Sequence, residues 1–384
     1  MTRSAAVVAL VALALAAVAL AGCTSGRGPA GADQEGARPG GVTTTAPVFV
    51  PDRPAPGDAP AAVARLVADQ GPDDEPGCAV SLVVQGDVVF EGGYGTADLS
   101  TGVPIDERTT FDIASVSKQF TAAAVYLLAE AGELSLDDDV GDHVPELPDY
   151  GVPVTLDDLV HHTSGLVDYT ELLGEDFADT DVTTTAQALD ALAAVPDLNF
   201  DPGSRFEYSN SNYFLLGLVV EQVDGRTLAD FLADEVFAPL GMDQTVVRDD
   251  ADLVVADGAE GYVADGDGGF EPDTTNWEQA GDGAVWTSVR DLQRWAANLS
   301  TFEVGGPELR RDLLAPGAVL DESGLGYGGG LTLLPGGRLE HSGAWAGFLS
   351  DLLVDPDERT SVAVLCNRDD VDPYDLAEQV LALL

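Results

Sequence analysis

Hydrophobic residues alternate with polar residues near both ends of the chain, in short runs bounded by turn-forming residues. The runs C-A-V-S-L-V-V and V-V-F-E-G-G-Y-G, joined by Gln85-Gly86-Asp87, predict a β-hairpin over residues 78–98. Near the C-terminus, R-L-E-H-S-G, S-D-L-L-V-D-P and T-S-V-A-V-L-C-N predict strands before a helix from Pro373. We therefore expect a sheet that is built from the two ends of the chain.

Between these ends the hydrophobic residues recur at helical spacing. From Ser115 to about Glu130 the apolar positions follow a period near 3.6, and Gly132 supplies a stop. Residues 213–223 are apolar nearly throughout, which predicts a buried helix. The pattern favours an α+β fold in which helices flank the sheet and a mainly helical lobe is inserted between its two halves.

The N-terminus has the pattern of an export signal. A basic residue at position 3 precedes an apolar run that ends in L-A-G-C at Cys23. This ending resembles a prokaryotic lipobox, which implies that residues 1–22 are a signal peptide and that Cys23 carries a lipid. A plain signal peptide and an uncleaved apolar anchor are the alternatives. We expect the mature protein at the outer face of the cytoplasmic membrane.

The next segment differs in composition from the rest of the chain. Residues 23–58 are rich in Gly, Pro, Ala and Thr, and they predict a flexible tether behind the lipidated cysteine. From residue 59 to residue 384 the composition is globular, and the length suits one large domain or two lobes that share an interface.

The chain is strongly acidic. Asp and Glu number 67 against 17 basic residues, which leaves a net charge of −50. Since no basic surface can neutralise phosphates, nucleic acid is excluded as a partner. A hydrated surface explains the acidic clusters better than specific cation binding does. We expect a monomer with no cofactor and no metal; the adjacent side chains of His161 and His162 diverge and lack a third ligand.

Two cysteines remain besides Cys23. Cys78 and Cys366 both lie in strand-like runs. In an oxidising compartment they can form a disulfide, and two buried free thiols are the alternative. The spacing of the two residues does not decide between these states.

The only lysine of the sequence, Lys118, lies three residues after Ser115 in I-A-S-V-S-K-Q-F-T-A. On a helix, residues i and i+3 share a face, so the amine and the hydroxyl can meet. An ammonium group can lose its proton when it is desolvated, whereas a guanidinium cannot. The pair predicts a serine nucleophile activated by an amine, although a serine here can also be a simple helix N-cap.

Two further motifs make this pattern more specific. Tyr208-Ser209-Asn210 precedes the buried helix, and His341-Ser342-Gly343 lies in a predicted strand. The order S-x-x-K, Y-x-N, H-x-G resembles the serine β-lactamase and D,D-peptidase superfamily. The segments L-D-D-L-V-H-H-T-S-G-L, A-P-L-G-M-D-Q-T and T-S-V-R-D-L-Q-R-W are similar to its class C β-lactamase-related branch, over roughly residues 60–384.

The resemblance implies a β-lactamase/transpeptidase-like fold and a role for each matching residue. Ser115 would be the acylated nucleophile and Lys118 would take its proton. Tyr208 would relay a proton to the leaving group and later activate water. Asn210 would position the substrate and Lys118. A core aromatic with a satisfied hydroxyl is the alternative for Tyr208.

The third motif would shape the substrate site. His341 would hold the proton network together and meet a carboxylate or carbonyl of the substrate, or it is a structural histidine. Ser342, Gly343 and Trp345 would line the site. The backbone N–H groups of Ser115 and Ala344 would form the oxyanion hole.

We therefore expect a lipid-anchored extracellular serine hydrolase that forms an acyl-enzyme with a small amide or ester. A D-amino-acid peptide or a wall-derived fragment is the favoured substrate. β-Lactamases usually carry Lys where this chain has His341, which argues against avid β-lactam hydrolysis. A β-lactamase proper, and a penicillin or wall-fragment sensor with little turnover, are the alternatives.

Overall fold

The computed structural model describes residues 59–173, 182–320 and 325–384. Its largest sheet is antiparallel and contains eight strands in the order β10-β11-β12-β13-β14-β15-β1-β2. The strands of this sheet are β1 (Cys78–Val84), β2 (Asp87–Tyr94), β10 (Ala318–Val319), β11 (Gly326–Tyr327), β12 (Thr332–Leu333), β13 (Leu339–Trp345), β14 (Phe348–Asp355) and β15 (Thr360–Cys366). The two ends of the chain meet where β1 pairs with β15, which confirms the predicted sheet.

Within the described residues, three small sheets lie outside the large one. One sheet pairs β3 with β4, and another pairs β7 with β8. In the third sheet β9 lies between β5 and β6. Their strands are β3 (Thr96–Asp98), β4 (Val103–Pro104), β5 (Phe111–Asp112), β6 (Val246–Val247), β7 (Tyr262–Ala264), β8 (Phe270–Pro272) and β9 (Val285–Thr287). The sheet around β9 leads directly into the turn that carries Ser115.

Most of the helices lie between β5 and β10, as the periodicity predicts. The α-helices are α1 (Ala59–Ala68), α2 (Lys118–Ala131), α3 (Val140–His143), α4 (Leu156–Val160), α5 (Tyr169–Leu173), α6 (Thr185–Ala193), α7 (Asn210–Asp224), α8 (Leu228–Leu232), α9 (Ala238–Leu240), α10 (Val289–Thr301), α11 (Gly306–Leu313) and α12 (Pro373–Leu381). A π-helical turn, Ala233–Phe237, joins α8 to α9.

The two faces of the large sheet are covered by different helices. Val80 and Leu82 of β1 pack with α1 and α12, the first and last helices of the described chain. Ala79, on the opposite face of β1, belongs to the larger core that contains α2, α7 and α10. Both faces are therefore buried, which explains the nearly continuous apolar runs in β1 and β15.

The neighbouring strands β1 and β15 are joined covalently. Cys78 and Cys366 are direct partners in the β1–β15 register, with Cα atoms 4.0 Å apart, and they form a disulfide. The bond links residues that are 288 positions apart in sequence. It ties the N-terminal hairpin to the C-terminal strand.

Several predictions from the sequence lie beyond this description. The signal peptide, Cys23 and the tether fall on residues 1–58, which are outside the described residues. Within the described part of the chain, no helix is long and apolar enough to cross a membrane.

Candidate active site

Ser115 lies in a tight turn rather than within the α-helix itself. A 3₁₀ turn, Ala114–Ser117, precedes α2, which begins at Lys118. Residues i and i+3 eclipse each other in a 3₁₀ turn, so the serine and the lysine share one side of it. Ala114 has φ +46°, and its N–H donates to a carboxylate oxygen of Asp112 at 2.8 Å. This strained residue presents the half-buried Ser115 at the end of the helix.

Lys118 is fully buried and makes three polar contacts through Nζ. It lies 3.0 Å from Ser115 Oγ, 2.9 Å from Asn210 Oδ1 and 2.7 Å from the carbonyl oxygen of Asp282. Burial lowers the pKa of Lys118 from 10.5 to about 8, while the carboxylates of Asp282 and Asp168 oppose this shift. The amine can therefore exist without its proton near neutral pH.

Tyr208 approaches the nucleophile from a distant part of the sequence. Its hydroxyl donates to Ser115 Oγ at 2.9 Å, and the Lys118 Nζ lies 4.9 Å from the centre of its ring. Burial raises the pKa of Tyr208 above its ordinary value. Since the phenol keeps its proton, Tyr208 is suited to donate a proton, and Lys118 is the better base in the free enzyme.

Asn210 connects Lys118 to a carboxylate that the sequence motifs do not include. Its Oδ1 accepts from Lys118, and its Nδ2 donates to Asp168 at 3.0 Å. The backbone N–H of Asn210 donates to the same oxygen of Asp168 at 2.8 Å. Asp168 therefore fixes the orientation of the amide, so that its oxygen faces Lys118.

Asp282 is a second unpredicted residue at the site. Its carbonyl oxygen contacts Lys118, and its carboxylate accepts from the Tyr169 hydroxyl at 2.9 Å. Burial raises the pKa of Asp282 to about 6, although Lys118 and Tyr169 pull it down. Asp282 thus contributes both a backbone acceptor and a negative charge beside Lys118.

Strand β13 lies against the nucleophile at Gly343. A Cβ at this position would lie 3.0 Å from the backbone N of Ser115. β13 and β14 are joined by the two-residue turn 346–347, both of whose residues have positive φ. In such a hairpin the pair next to the turn exchanges hydrogen bonds, so the following pair, Ala344 and Leu349, directs its N–H groups outward.

The outward N–H of Ala344 therefore points to the edge of β13 that faces away from β14. Strand β12 occupies this edge only at Leu339 and Glu340. Ala344 follows Gly343, the residue that approaches the Ser115 N, so the two N–H groups of the predicted oxyanion hole belong to neighbouring segments.

His341 is near the site but outside the hydrogen-bond network around Ser115. Its Nδ1 lies 2.6 Å from the carbonyl oxygen of Ser342, and its Nε2 lies 3.0 Å from the Tyr327 hydroxyl. Burial and the charge of Lys118 lower the pKa of His341 to about 4. The ring is therefore neutral near pH 7. Its ring centre is 6.4 Å from that of Tyr208, and no direct hydrogen bond joins the two.

The other predicted residues of the third motif differ in orientation. The pleat of β13 directs the Ser342 side chain to the face opposite Gly343. Trp345 is half-buried and packs edge to face against Trp277, with ring centres 5.0 Å apart. Trp277 also lies 5.9 Å from Tyr169, so an aromatic wall extends from Trp345 toward Asp282.

Sequence reasoning also missed the role of His162. Its imidazole stacks on the Tyr208 ring, with centres 4.3 Å apart and an interplanar angle of 30°. Its Nδ1 lies 3.2 Å from the Ser209 backbone N and 2.9 Å from Asn212 Nδ2. Burial and the charge of Lys118 lower the pKa of His162 well below its ordinary value. The neutral ring is a support for the Y-S-N segment.

The sequence contains a signal for some of these residues. His162 lies in H-H-T-S-G-L, a segment with family resemblance, and Asn212 lies two residues after the Y-S-N motif. Asp282 has no such signal, because its contact with Lys118 is made by a backbone carbonyl that any residue could supply.

A serine that can pass its proton to a buried amine, with a tyrosine hydroxyl and two backbone N–H groups beside it, can form and release an acyl-enzyme. Fold and site together have the arrangement of an S-x-x-K serine hydrolase. The comparison with known proteins agrees. The Beta-lactamase family profile matches residues 63–384, and the chain belongs to this family.

Named relatives show the range of this family. A D-aminopeptidase of Brucella anthropi is 35% identical over 297 residues, which cover 76% of this chain and 56% of that protein. Penicillin-binding protein 4* of Bacillus subtilis is 30% identical over 312 residues, covering 76% of this chain and 68% of the relative. The chain thus spans little more than half of the first relative's length.

A solved structure supports the same assignment of fold. The penicillin-binding protein of Bacillus halodurans superposes with a TM-score of 0.74 at 27% identity, over 84% of this chain and 99% of the other. The expected β-lactamase/transpeptidase-like fold is confirmed.

Proposed function

We propose that this protein is an exported serine hydrolase, lipid-anchored through Cys23, that cleaves small amides of D-amino acids through an acyl-enzyme. The similarity to a D-aminopeptidase supports this class of substrate. The signal-like N-terminus supports export and anchoring.

The arrangement of acceptors around Lys118 is the observation that carries the proposal. A neutral amine has two N–H groups and one lone pair. Asn210 Oδ1 and the Asp282 carbonyl can only accept, so they take both N–H groups. The lone pair is left facing the Ser115 hydroxyl at 3.0 Å. The site therefore fits the amine in the state that can remove the serine proton.

Acylation follows from this geometry. Ser115 Oγ forms a bond to the substrate carbonyl carbon while its proton passes to Lys118 Nζ. The carbonyl oxygen becomes an oxyanion, which accepts from the N–H groups of Ser115 and Ala344. Because these donors are held by the turn and by β13, little reorganisation is needed as the charge develops.

Release of the leaving group requires a proton donor. The Tyr208 hydroxyl already lies against Ser115 Oγ and keeps its proton, so it can protonate the leaving nitrogen as the C–N bond breaks. Lys118, now an ammonium, returns a proton to the tyrosine oxygen directly, since both groups lie within about 3 Å of Ser115 Oγ. In deacylation a water molecule takes the place of the leaving amine of the substrate. The proton transfers described for acylation then occur in the reverse direction.

The neutral state of His341 bears on substrate choice. With a pKa of about 4, its imidazole supplies no fixed cation near pH 7 for the carboxylate of a penicillin. We therefore expect hydrolysis of a D-alanine anilide to be faster than hydrolysis of nitrocefin.

Covalent labelling tests the nucleophile. A fluorophosphonate should label the wild-type protein and the Ser117→Ala variant, but not Ser115→Ala. Ser117 is the matched control because it lies in the same turn but accepts from the Val285 N–H. Labelling of Ser115→Ala at the wild-type rate would show that another residue is the nucleophile.

The substitution Lys118→Arg tests the proton transfer. Arginine keeps the charge but cannot lose it, so hydrolysis of D-alanine p-nitroanilide should fall by about 10²–10⁴-fold. Activity within threefold of wild type would contradict the role of Lys118.

The lipid anchor needs a separate test in cells. Wild-type protein should incorporate labelled palmitate and partition with membranes, whereas Cys23→Ser should do neither. A soluble wild-type protein without lipid would remove the anchor from the proposal but leave the hydrolase intact.

A further inference from the structure

The positive charge that offsets the Asp282 carboxylate is lost during the reaction. Lys118 is the cation that faces the Asp282 carboxylate among the described residues, and Asp168 adds a second negative charge nearby. When Lys118 gives up its proton to act as a base, two carboxylates remain without a facing cation. The free enzyme in its reactive form therefore favours an added positive charge at this place.

The surroundings of Asp282 are suited to such a cation. Its carboxylate is oriented by the Tyr169 hydroxyl at 2.9 Å. The Tyr169 ring leads to Trp277, and Trp277 leads to Trp345, through ring-centre distances of 5.9 and 5.0 Å. The Asp282 carboxylate thus lies at one end of a row of aromatic rings, and the faces of such rings attract cations.

This cluster is also close to the reacting atoms. The contacts of Lys118 Nζ place the Asp282 backbone and Ser115 Oγ on either side of one amine. Trp345 follows two residues after Gly343, the residue that approaches the Ser115 N. A group bound here lies next to the substrate atom attached to the scissile carbonyl.

We propose that Asp282, with the rings of Trp277 and Trp345, binds the α-ammonium group of the substrate. This subsite, defined by these three residues, rests on the proposed amidase function and gives it a specificity. The favoured substrate has a free amine on the carbon next to the carbonyl, and an acylated or missing amine is selected against.

Matched substrates test the subsite by turnover. D-Alanine p-nitroanilide and propionyl p-nitroanilide differ only in the amine. Wild-type kcat/KM should favour the former by about 30-fold or more, since one partner of a buried charge pair is removed in the latter. Asp282→Asn should reduce this ratio at least tenfold, mainly through KM. Trp345→Leu and Trp277→Leu should each reduce it about threefold.

Two controls identify what Asp282 does. If Asp282→Asn slows both substrates equally and shifts the pH profile, the residue acts only through Lys118 and the subsite is wrong. Glu340→Gln removes another carboxyl that borders the cleft beside Tyr208. If this variant instead abolishes the preference, the ammonium group binds at Glu340.

Equilibrium binding separates this inference from the proposed reaction. Calorimetry with the Ser115→Ala protein should show tighter binding of D-alaninamide than of propionamide, and the additional change Asp282→Asn should remove the difference. Tyr169→Phe, which keeps the ring but removes the hydroxyl, should reduce the difference in binding between the two amides without loss of folding. Equal binding of the two amides to Ser115→Ala would overturn the subsite even if hydrolysis occurs, and a clear difference would support it even if hydrolysis fails.

Discussion

The imidazole of His162 stacks on the ring of Tyr208, with centres 4.3 Å apart. The same imidazole accepts from the N–H of Ser209 and from Asn212. The neutral imidazole of His162 thus supports the ring of Tyr208, the proton donor, and holds the segment that follows it. His162 itself adopts a left-handed conformation with φ +54°, which asparagine tolerates better than most residues.

The substitution His162→Asn tests this support. Asparagine suits the backbone and offers an acceptor oxygen, but it removes the ring beneath Tyr208. We expect kcat to fall about 10- to 100-fold with a smaller change in KM, because a small displacement of a proton donor is costly. The same substitution at the neighbouring His161, which contacts Asp157, should keep kcat within about threefold. A wild-type kcat for His162→Asn would show that the stack has no role in positioning.

The pKa of Lys118 predicts the pH dependence of acylation. Only the neutral amine can accept the serine proton, so kcat/KM should rise about tenfold per pH unit and level off above about pH 8. A substrate without a titrating group, such as p-nitrophenyl acetate, isolates this ionisation of the enzyme. Rates measured with Ser115→Ala give the background to subtract. A profile that is flat from pH 6 to 9 would contradict a lysine base.

A buried pair of carboxyl groups on the large sheet predicts a pH dependence of stability. Asp351 pairs with Ser342 across β13 and β14, so it shares a face with Glu340. Burial raises the pKa of Glu340 to about 7, and burial and Glu340 raise that of Asp351 well above its ordinary value. Because the folded state holds protons more tightly than the unfolded state, this contribution to stability is present at low pH and is lost as the pH rises through 7.

The substitution Asp351→Asn should remove much of this dependence. The amide cannot ionise, so the free energy of unfolding should be about 1–2 kcal/mol higher than in wild type at pH 8.5 and nearly equal at pH 4, close to the unfolded pKa. Urea denaturation at the two pH values measures the difference. Asp357→Asn, at an exposed site, is the control and should change stability at neither pH. A pH-independent effect of Asp351→Asn would refute this account of the buried carboxyl pair.

The disulfide between Cys78 and Cys366 should stabilise the fold. A bond across 288 residues restricts the unfolded chain, and the double change to serine should lower the free energy of unfolding by about 2–4 kcal/mol. Intact mass before and after reduction first counts the free thiols. Since the two cysteines belong to the core on the face of the sheet opposite α2, kcat at 25 °C should remain close to wild type. Two free thiols in the native protein would contradict the disulfide.

Local patterns predicted much of the fold. The hairpin predicted over residues 78–98 is confirmed over residues 78–94, because alternation and the Gln85-Gly86 turn are local properties, and the turn residues have φ +54° and +86°. Residues 96–98 instead form β3 of a separate sheet. The helix ending at Gly132 was also predicted, and this glycine has φ +74°. The periodicity predicts a helix from Ser115, whereas the α-helix begins three residues later at Lys118, since the 3₁₀ turn at Ser115 has a similar pattern of contacts to an α-helix.

The candidate site was predicted less completely. Ser115, Lys118, Tyr208 and Asn210 come together as the motifs indicated, whereas His341 lies outside their hydrogen bonds. The motif specifies that a histidine is present in the strand. It does not specify which neighbours the ring contacts, and Tyr327 from another strand takes its Nε2.

The sequence by itself determined that an amine and a hydroxyl meet, because Ser115 and Lys118 are separated by a single turn. Only the tertiary structure decided that the amine is desolvated and that its two N–H groups have acceptors. Those acceptors come from residues 92 and 164 positions away. Contacts over such distances depend on how strands and helices pack, and a backbone carbonyl such as that of Asp282 leaves no trace in residue type.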